Sequence, residues 1–192
     1  MTLKRSIILG ALLLLLIILM ISYFKNGRGE KIKQSPSVSP PEILQAPEKQ
    51  KELKKVVLFF PSERDNLLHP EEREIYANSS VVLEAKHTVE GLIQGSKNGY
   101  ISPFPPQTRL RELFLTKRGV AHVDFSKDFQ TGHPSGSSAE ISTIYSVVNS
   151  LAYNFKSIKR VFILIEGGEK ETLGGHINLS RPFLPQYSLV AR

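Results

Sequence analysis

The amino-acid sequence predicts an α+β fold: a small mixed β-sheet with two helices packed on one of its faces. Two observations support this class. Short runs of β-branched and aromatic residues, bounded by turn residues, recur along residues 55–192, as strands do. Two longer segments between them have apolar residues every three or four positions, as on one face of a helix. The predicted order is β-β-α-β-β-α-β, followed by an edge segment.

The first half of this domain is predicted to be a hairpin followed by a helix. The run VVLFFP at residues 56–61 ends in proline, and EREIYA at residues 72–77 follows a polar loop, so the two are expected to pair. Helical spacing begins after Asn78–Ser80, which are typical N-cap residues, and Gly95 is expected to end the helix. The apolar face of this helix comprises Val82, Ala85, Val89, Leu92 and Ile93.

Two further strands are predicted at residues 110–116 and 119–125, joined by a short turn. In the second strand, apolar residues alternate with His122 and Asp124. Because successive side chains of a strand point to opposite faces, these two polar residues are expected to share the face opposite the core.

A second, longer helix is predicted to begin at a capping box. In that motif the Ser137 hydroxyl accepts from the amide of Glu140, whose carboxylate reaches back to the helix start. Residues 141–155 carry a wide apolar stripe that includes Tyr145, which we therefore expect in the core. The run KRVFILIEGG is the most apolar strand and is predicted to be central, with a turn after it. TLGGHINLSRPF, residues 172–183, is predicted to close the sheet as an edge.

A membrane anchor is predicted at the N-terminus. Residues 6–24 are uncharged and almost wholly apolar, long enough for a single span from Ile7 to Phe24. A cleaved signal peptide is the alternative, but Tyr23 and Phe24 are bulky where a cleavage site needs small residues. Residues 1–24 are therefore assigned to a transmembrane signal-anchor. Counting lysines and arginines favours a cytoplasmic C-terminal side, whereas an early positive pair favours export, so charge alone leaves the orientation open.

Residues 25–54 have the composition of a flexible stalk, with four prolines, scattered charge and few apolar residues. Of the net charge of +7, residues 1–55 carry +6, from ten lysines and arginines against four glutamates. The folded part is therefore almost neutral, which argues against a nucleic-acid-binding domain. The absence of cysteine excludes disulfides, lipid-modified cysteine and zinc–thiolate sites.

His122 and Asp124 could form part of a nucleophilic triad, since one strand places both on one face. The sequence has no G-x-S-x-G motif and Ser126 is near in sequence only, so a polar outer face of the sheet is the preferred interpretation. The histidines have neither H-E-x-x-H nor another metal-ligand spacing. They are His69, His87, His122, His133 and His176. We therefore predict no catalytic residue, no metal site and no cofactor.

Two glycine-containing loops are the remaining candidates. The loop TGHPSGSS, around Gly136, leads into a helix and could accept an anion, but it contains no phosphate-binding motif. TLGGHINLSRPF combines Gly174, Gly175, His176 and an arginine. Because no nucleophile or second base is near His176 in sequence, we interpret the glycines as a tight turn or bulge at a sheet edge, which Pro182 ends.

Taken in order, several motifs resemble the GerMN domain family over roughly residues 56–184. They are LFFP, HPEERE, GLIQG, ISPFPPQTRL, GVAHVDFSKDF, GSSAE, VNSL, KRVFILIEG and ETLGGHINLSRPF. The resemblance implies a membrane-attached, extracytoplasmic bacterial domain, with a compact fold like the ring-building motifs of envelope assemblies and no established enzymatic activity. It also implies that the N-terminus is cytoplasmic and the domain lies outside. In this chain one copy of the domain follows the predicted transmembrane helix.

The leading hypothesis is a non-enzymatic, single-pass protein of the cytoplasmic membrane. Its extracytoplasmic, or periplasmic, domain would bind an envelope protein or copies of itself. The rival is an envelope ligand-binding or hydrolytic domain that acts on a cell-wall component through His122, Asp124 and His176, with the loop around Gly136. A third hypothesis is an adaptor that positions its partner through the length of the stalk.

Overall fold

The computed structural model of the protein describes residues 16–23, 52–134 and 136–192. The chain divides into two compact units, Met1–Glu48 and Lys49–Arg192. In the first unit, residues 16–23 are helical and exposed; the rest of the predicted span and almost all of the predicted stalk lie outside the described residues. Among the residues that are described, no helix is long and apolar enough to cross a membrane.

The second unit has the predicted α+β class. Its described strands are β1 (Leu53–Pro61), β2 (Leu68–Tyr76), β3 (Leu110–Leu115), β4 (Val120–Phe125) and β5 (Arg160–Ile165). Its described helices are α1 (Val81–Ile93), α2 (Asp128–Thr131) and α3 (Ser137–Asn154), and a 3-10 turn spans Tyr187–Leu189. β1 begins three residues earlier than the sequence predicts, and the short α2 was not predicted.

The strands form two sheets, so the prediction of a single mixed sheet is wrong. β1 and β2 make an antiparallel hairpin. In the second sheet β4 lies between β3, to which it is antiparallel, and β5, to which it is parallel. β5, predicted to be central, therefore lies at one end of the order. Val161, Phe162 and Ile163 are all buried, so both faces of β5 are covered although only one of its edges pairs with a full strand. Burial of both faces accounts for its apolar sequence.

The hairpin does not join the second sheet because side chains of α3 cover the outer edge of β1. The amide of Val57 donates to Asn154 Oδ1 at 2.9 Å, and Asn154 Nδ2 donates to the Val57 carbonyl at 2.7 Å. The amide of Phe59 donates to Ser150 Oγ at 3.0 Å. A helix thus takes the hydrogen-bonding position that a neighbouring strand would occupy.

The core lies among the hairpin, the three-stranded sheet and the helices α1 and α3. The predicted inward face of β4 is confirmed, since Ala121, Val123 and Phe125 are fully buried. The Ser80 hydroxyl accepts from the amide of Leu83, as an N-cap residue of α1 should.

Residues 172–183 do not form the predicted edge strand. They make only two isolated bridges, one between Thr172 and Asn178 and one between Val161 and Phe183. Tyr145 is partly buried and packs against the core, its ring edge-on to Phe183 at 6.1 Å. This segment is held to the domain mainly by side chains, and one buried carboxylate is the principal anchor.

Candidate functional site

His122 lies in an aromatic stack. Its ring is parallel to that of Phe114, with centroids 4.5 Å apart and 7° between the planes, and it meets the ring of Phe162 edge-on at 5.4 Å. Its Nδ1 is buried without a hydrogen-bond partner among the described residues. No hydrogen bond of the described residues joins His122 to Asp124, so the histidine packs between rings and is not oriented as a base.

Asp124 is a buried anchor for two neighbouring segments. One carboxylate oxygen accepts from Arg111 Nε on β3 at 3.0 Å, and the other accepts from the amide of Gly167, after β5, at 2.8 Å. Arg111 also pairs with Glu166 at 2.9 Å. The pKa of Glu166 is held below its usual range by a hydrogen bond from the amide of Lys127 and by Arg111. Both oxygens of Asp124 are therefore engaged in fixing the turn after β5.

Ser126, the nearest candidate nucleophile, is part of the start of α2. Its hydroxyl donates to Asp128 Oδ2 at 3.1 Å and accepts from the amide of Arg109 at 3.1 Å. The structure therefore does not bring Ser126 and His122 into the arrangement that a triad needs.

Glu140 does not belong to a capping box, which corrects the prediction for the start of α3. The N-cap residue is Gly136, with φ of 118°, and no side chain caps the helix. The Glu140 side chain is fully buried and accepts from His176 Nδ1 at 2.7 Å, from the amide of His176 at 3.2 Å and from the amide of Ile177 at 2.9 Å. A buried carboxylate needs several donors, and the loop supplies more of them than Ser137 could.

The electrostatics of Glu140 follow from these contacts. Burial alone would raise the pKa of its carboxyl, but the hydrogen bonds from Ile177, His176 and Gly174 outweigh burial and hold the pKa below its usual range. A Cβ on Gly174 would lie 2.8 Å from Glu140 Oε1, and Gly175 has φ of +103°. The glycine pair thus lets the loop close around the carboxylate, as expected of a bend that side chains would obstruct.

A second buried carboxylate, Glu71 on β2, organises the loop after α1 in the same way. It accepts from Ser96 Oγ at 2.6 Å and from the amides of Lys97 at 3.1 Å and Asn98 at 3.2 Å. Arg73 Nε pairs with it at 2.5 Å. Sequence reasoning missed both carboxylates. For Glu71 the signal was present, because Glu71 and Arg73 occupy inward positions of an alternating strand.

The described hydrogen bonds and ring contacts do not join any two of the five histidines. His69 bonds to Asp65 at 2.9 Å and stacks on Tyr100, and His87 meets the ring of Tyr76 edge-on at 6.3 Å. Within residues 16–23, 52–134 and 136–192 no group of three potential ligands could hold a metal ion.

The loop around Gly136 borders a cavity of about 520 Å³. Its described lining is mainly proline, serine and Phe104, with no lysine or arginine to attract an anion. His133, between the lining residues Gly132 and Pro134, places Nε2 2.8 Å from Thr143 Oγ1, and burial lowers the pKa of His133. The described lining of this loop therefore offers no lysine or arginine to an anion, in agreement with the lack of a phosphate-binding motif in its sequence.

Aromatic side chains are exposed beside the hairpin, and we call this region the tyrosine surface. It comprises Pro70, Tyr153, Tyr187 and Val190 together with the buried Phe59, and these residues border a cavity of about 610 Å³. Tyr153 is 56% exposed and Tyr187 is 47% exposed. The Tyr153 ring meets Phe59 edge-on at 5.5 Å and Tyr187 at 6.3 Å, so the rings form one group on the surface.

These contacts define the class of protein as a small α+β domain in which buried carboxylates fix the loops and tyrosine side chains are exposed on the surface. The chain belongs to the Germane family, described as sporulation and spore germination, whose model matches residues 57–171. The resemblance to GerMN domains is thereby confirmed, with support from two of the solved structures. No curated protein matches the chain.

Three solved structures are similar to this chain, each at 22% identity. The tandem GerMN domains of the sporulation protein GerM from Bacillus subtilis align with 71% of this chain and 48% of their own length, with a TM-score of 0.57. The first GerMN domain of the same protein aligns with 69% of this chain and 98% of its own length, at 0.53. A protein of Clostridium perfringens assigned as a lipoprotein aligns over 72% and 93%, at 0.51. At this identity the similarity shows the fold alone.

Proposed function

We propose that this protein is a non-enzymatic assembly protein of the bacterial cell envelope, whose folded domain binds another envelope protein. The observation that carries the proposal is the tyrosine surface. Tyrosine offers a large apolar ring with a polar tip at low conformational cost, so it is enriched where proteins meet. Two such rings, about half exposed and in contact with each other, are suited to a partner's surface.

The engagement of the candidate reactive groups also supports this proposal over a hydrolytic one. His122 is stacked between rings, both oxygens of Asp124 accept structural hydrogen bonds, and His176 bonds the buried Glu140. A hydrolase of the predicted kind would have to break these contacts to present a nucleophile and a base.

We further propose that the domain is extracytoplasmic and tethered by a single span from Ile7 to Phe24, with residues 25–54 as spacer. The uncharged length of residues 6–24 supports the span. The fold similarity to a protein assigned as a lipoprotein supports an envelope location. A reporter that is active only in the periplasm, fused after Arg192, should be active; an inactive reporter with a stable fusion would contradict this placement.

The binding proposal is tested by photocrosslinking from the tyrosine surface in intact membranes. A photoreactive residue at position 153 or 187 of the full chain should give discrete crosslinked species, whereas one at the exposed Glu169 should not. Tyr153→Ser and Tyr187→Ser should abolish crosslinks from the neighbouring position, and Tyr153→Phe should retain them. If the serine variants crosslink as well as the parent, the tyrosine surface is not the binding site.

A further inference from the structure

One edge of the hairpin is open. In β2, even-numbered residues direct their backbone groups away from β1, since the Leu68 carbonyl accepts from the amide of Ala191 outside the hairpin at 3.0 Å. Pro70 has no amide hydrogen to donate. Glu72 and Glu74 follow on the same edge, with two donors and two acceptors that bond to no other described residue. We call the backbone of Glu72 and Glu74 the open edge.

From Val57 to Pro61 the opposite edge of the hairpin is covered by other parts of the domain. On β1 the amide and carbonyl of Val57 bond to Asn154, the amide of Phe59 donates to Ser150 Oγ, and the Pro61 carbonyl accepts from the amide of Ile101 at 3.0 Å. On β2 the carbonyl of Leu68 is occupied by the segment that contains Ala191. The hairpin thus already accepts one additional stretch of backbone beside β2.

A cavity of about 660 Å³ follows the open edge. On one side it is lined by Leu53 and Lys55 of β1 and by β2 residues from Glu72 to Tyr76. On the other side lie Lys97 and three helix positions, which are His87 and Gly91 of α1 and its C-cap residue Gln94. These helix positions are four and three residues apart and so share one face of α1. The volume is within the range of about 300–1,000 Å³ in which ligands are bound, and a strand placed there would have α1 as its wall.

On the exposed face of β2 the side chains beside the open edge are acidic, whereas Arg73 on the buried face is paired with Glu71, and Lys97 also lines the cavity. Glu74 is exposed and has no ion pair among the described residues. Glu72 pairs with Lys55 at 3.2 Å, but both side chains are about 70% exposed, so that pair is weak. On an added strand, lysine or arginine at the positions next to these glutamates would be stabilising, because opposite charges then lie side by side on neighbouring strands. A second copy of β2 would instead bring glutamates against glutamates.

We propose that β2 accepts an extended, basic segment of a partner protein as an added strand, with lysine or arginine at alternate positions next to Glu72 and Glu74. This inference rests on the proposed function, since it assigns a second contact to the same interaction. Backbone hydrogen bonds from the open edge give the affinity, and the two carboxylates select the charge of the partner.

The test uses the full chain in a non-ionic detergent and an acetylated heptapeptide of alternating lysine and valine. Binding is measured by fluorescence anisotropy, and hydrogen exchange reports on individual amides. We expect the peptide to slow exchange at Glu72 and Glu74 and to leave Val57 unchanged. Replacement of its lysines by glutamate should abolish binding, because the charges then repel. N-methylation of alternate peptide amides removes the N–H donors along one edge of the extended peptide, and it should abolish binding through that edge.

Protein variants separate the contribution of charge from that of the backbone. Glu74→Gln should weaken peptide binding about two- to fivefold, as expected for one cross-strand charge pair. Glu74→Pro removes an outward-facing amide that the fold does not use, and it should weaken binding about five- to tenfold. Glu169→Gln, at an exposed carboxylate elsewhere, should bind as the parent does. If Glu74→Pro does not fold, the N-methylated peptide still decides the question on the unaltered protein.

The outcomes separate this inference from the proposed function. Equal binding of the parent and N-methylated peptides, or unchanged exchange at Glu72 and Glu74, would overturn strand addition. A dimer of the chain that protects these amides would also overturn it, in favour of a second copy as occupant. Crosslinks from Tyr153 that persist in Glu74→Pro, without peptide binding, would retain the interaction function and reject the open edge.

Discussion

Glu140→Gln should destabilise the domain more than any exposed glutamate replacement. The carboxylate is fully buried and accepts three hydrogen bonds, two from His176 at 2.7 and 3.2 Å and one from Ile177 at 2.9 Å. Hydrogen bonds to charged groups contribute about 1.5–3 kcal/mol each, and an amide group keeps one acceptor oxygen while placing a donor against the loop amides. Loss of one of these bonds and weakening of a second gives a destabilisation of about 2–4 kcal/mol.

The assay is urea unfolding of the full chain, with thermal melting and hydrogen exchange as further measurements. A loss of this size corresponds to a melting temperature lower by about 5–15 °C for a chain of this length. Exchange should accelerate at His176 and Ile177, which lose their acceptor. Glu169→Gln is the matched control, since its side chain is exposed. A melting temperature within about 1 °C of the parent, with unchanged exchange at these amides, would refute the anchoring role.

The same variant gives a pH signature. Because the pKa of Glu140 is lower in the folded state than its ordinary value of 4.5, the stabilisation from the ionised carboxylate is fully present above that ordinary value. It is lost as the pH falls through the lower folded-state pKa, where the carboxylate becomes protonated. The stability difference between parent and Glu140→Gln should therefore narrow in acid, and a difference that widens there would contradict the lowered pKa.

Three further predictions concern positions elsewhere in the domain. His122→Phe should keep the stack and raise the melting temperature, because the buried Nδ1 without a described partner is removed; a lower value would show that Nδ1 is satisfied. Asn154→Ala should cost about 2–3 kcal/mol in urea unfolding, since it removes both bonds to Val57, and a loss below about 0.5 kcal/mol would contradict this. Gly174→Ala should lower stability by about 1–3 kcal/mol through contact of the new Cβ with the Glu140 carboxylate. Gly168→Ala should melt as the parent does, because its Cβ would lie 3.7 Å from the Ile165 carbonyl oxygen, an ordinary contact distance.

The parts of the fold that depend on local pattern could be predicted from the sequence. The alternation in β4 correctly assigned Ala121, Val123 and Phe125 to the core, because side-chain direction in a strand follows from position alone. The N-cap at Ser80 was also predictable from local sequence, because its hydroxyl bonds to the amide of Leu83, only three residues later. Family membership was predictable from the order and spacing of the motifs.

The parts that depend on distant contacts could not be predicted. Ser137 and Glu140 have the spacing of a capping box, but the Glu140 carboxylate bonds instead to a loop more than 30 residues later in the chain. The division into two sheets likewise depends on Asn154 and Ser150, which bond to the outer edge of β1. The helical spacing of these two residues does not predict which strand they contact. Tyr153 lies next to Asn154, and its exposure follows from the same docking of α3.

The covering of β1 by α3 has a consequence for synthesis of the chain. Val57 and Asn154 are 97 residues apart, so the hairpin leaves the ribosome well before the helix that completes it. Until the helix is made, a nascent molecule displays both margins of its first two strands to whatever is nearby. Such exposure favours misassembly with other unfinished chains. A chaperone that covers these edges would be most useful in that interval.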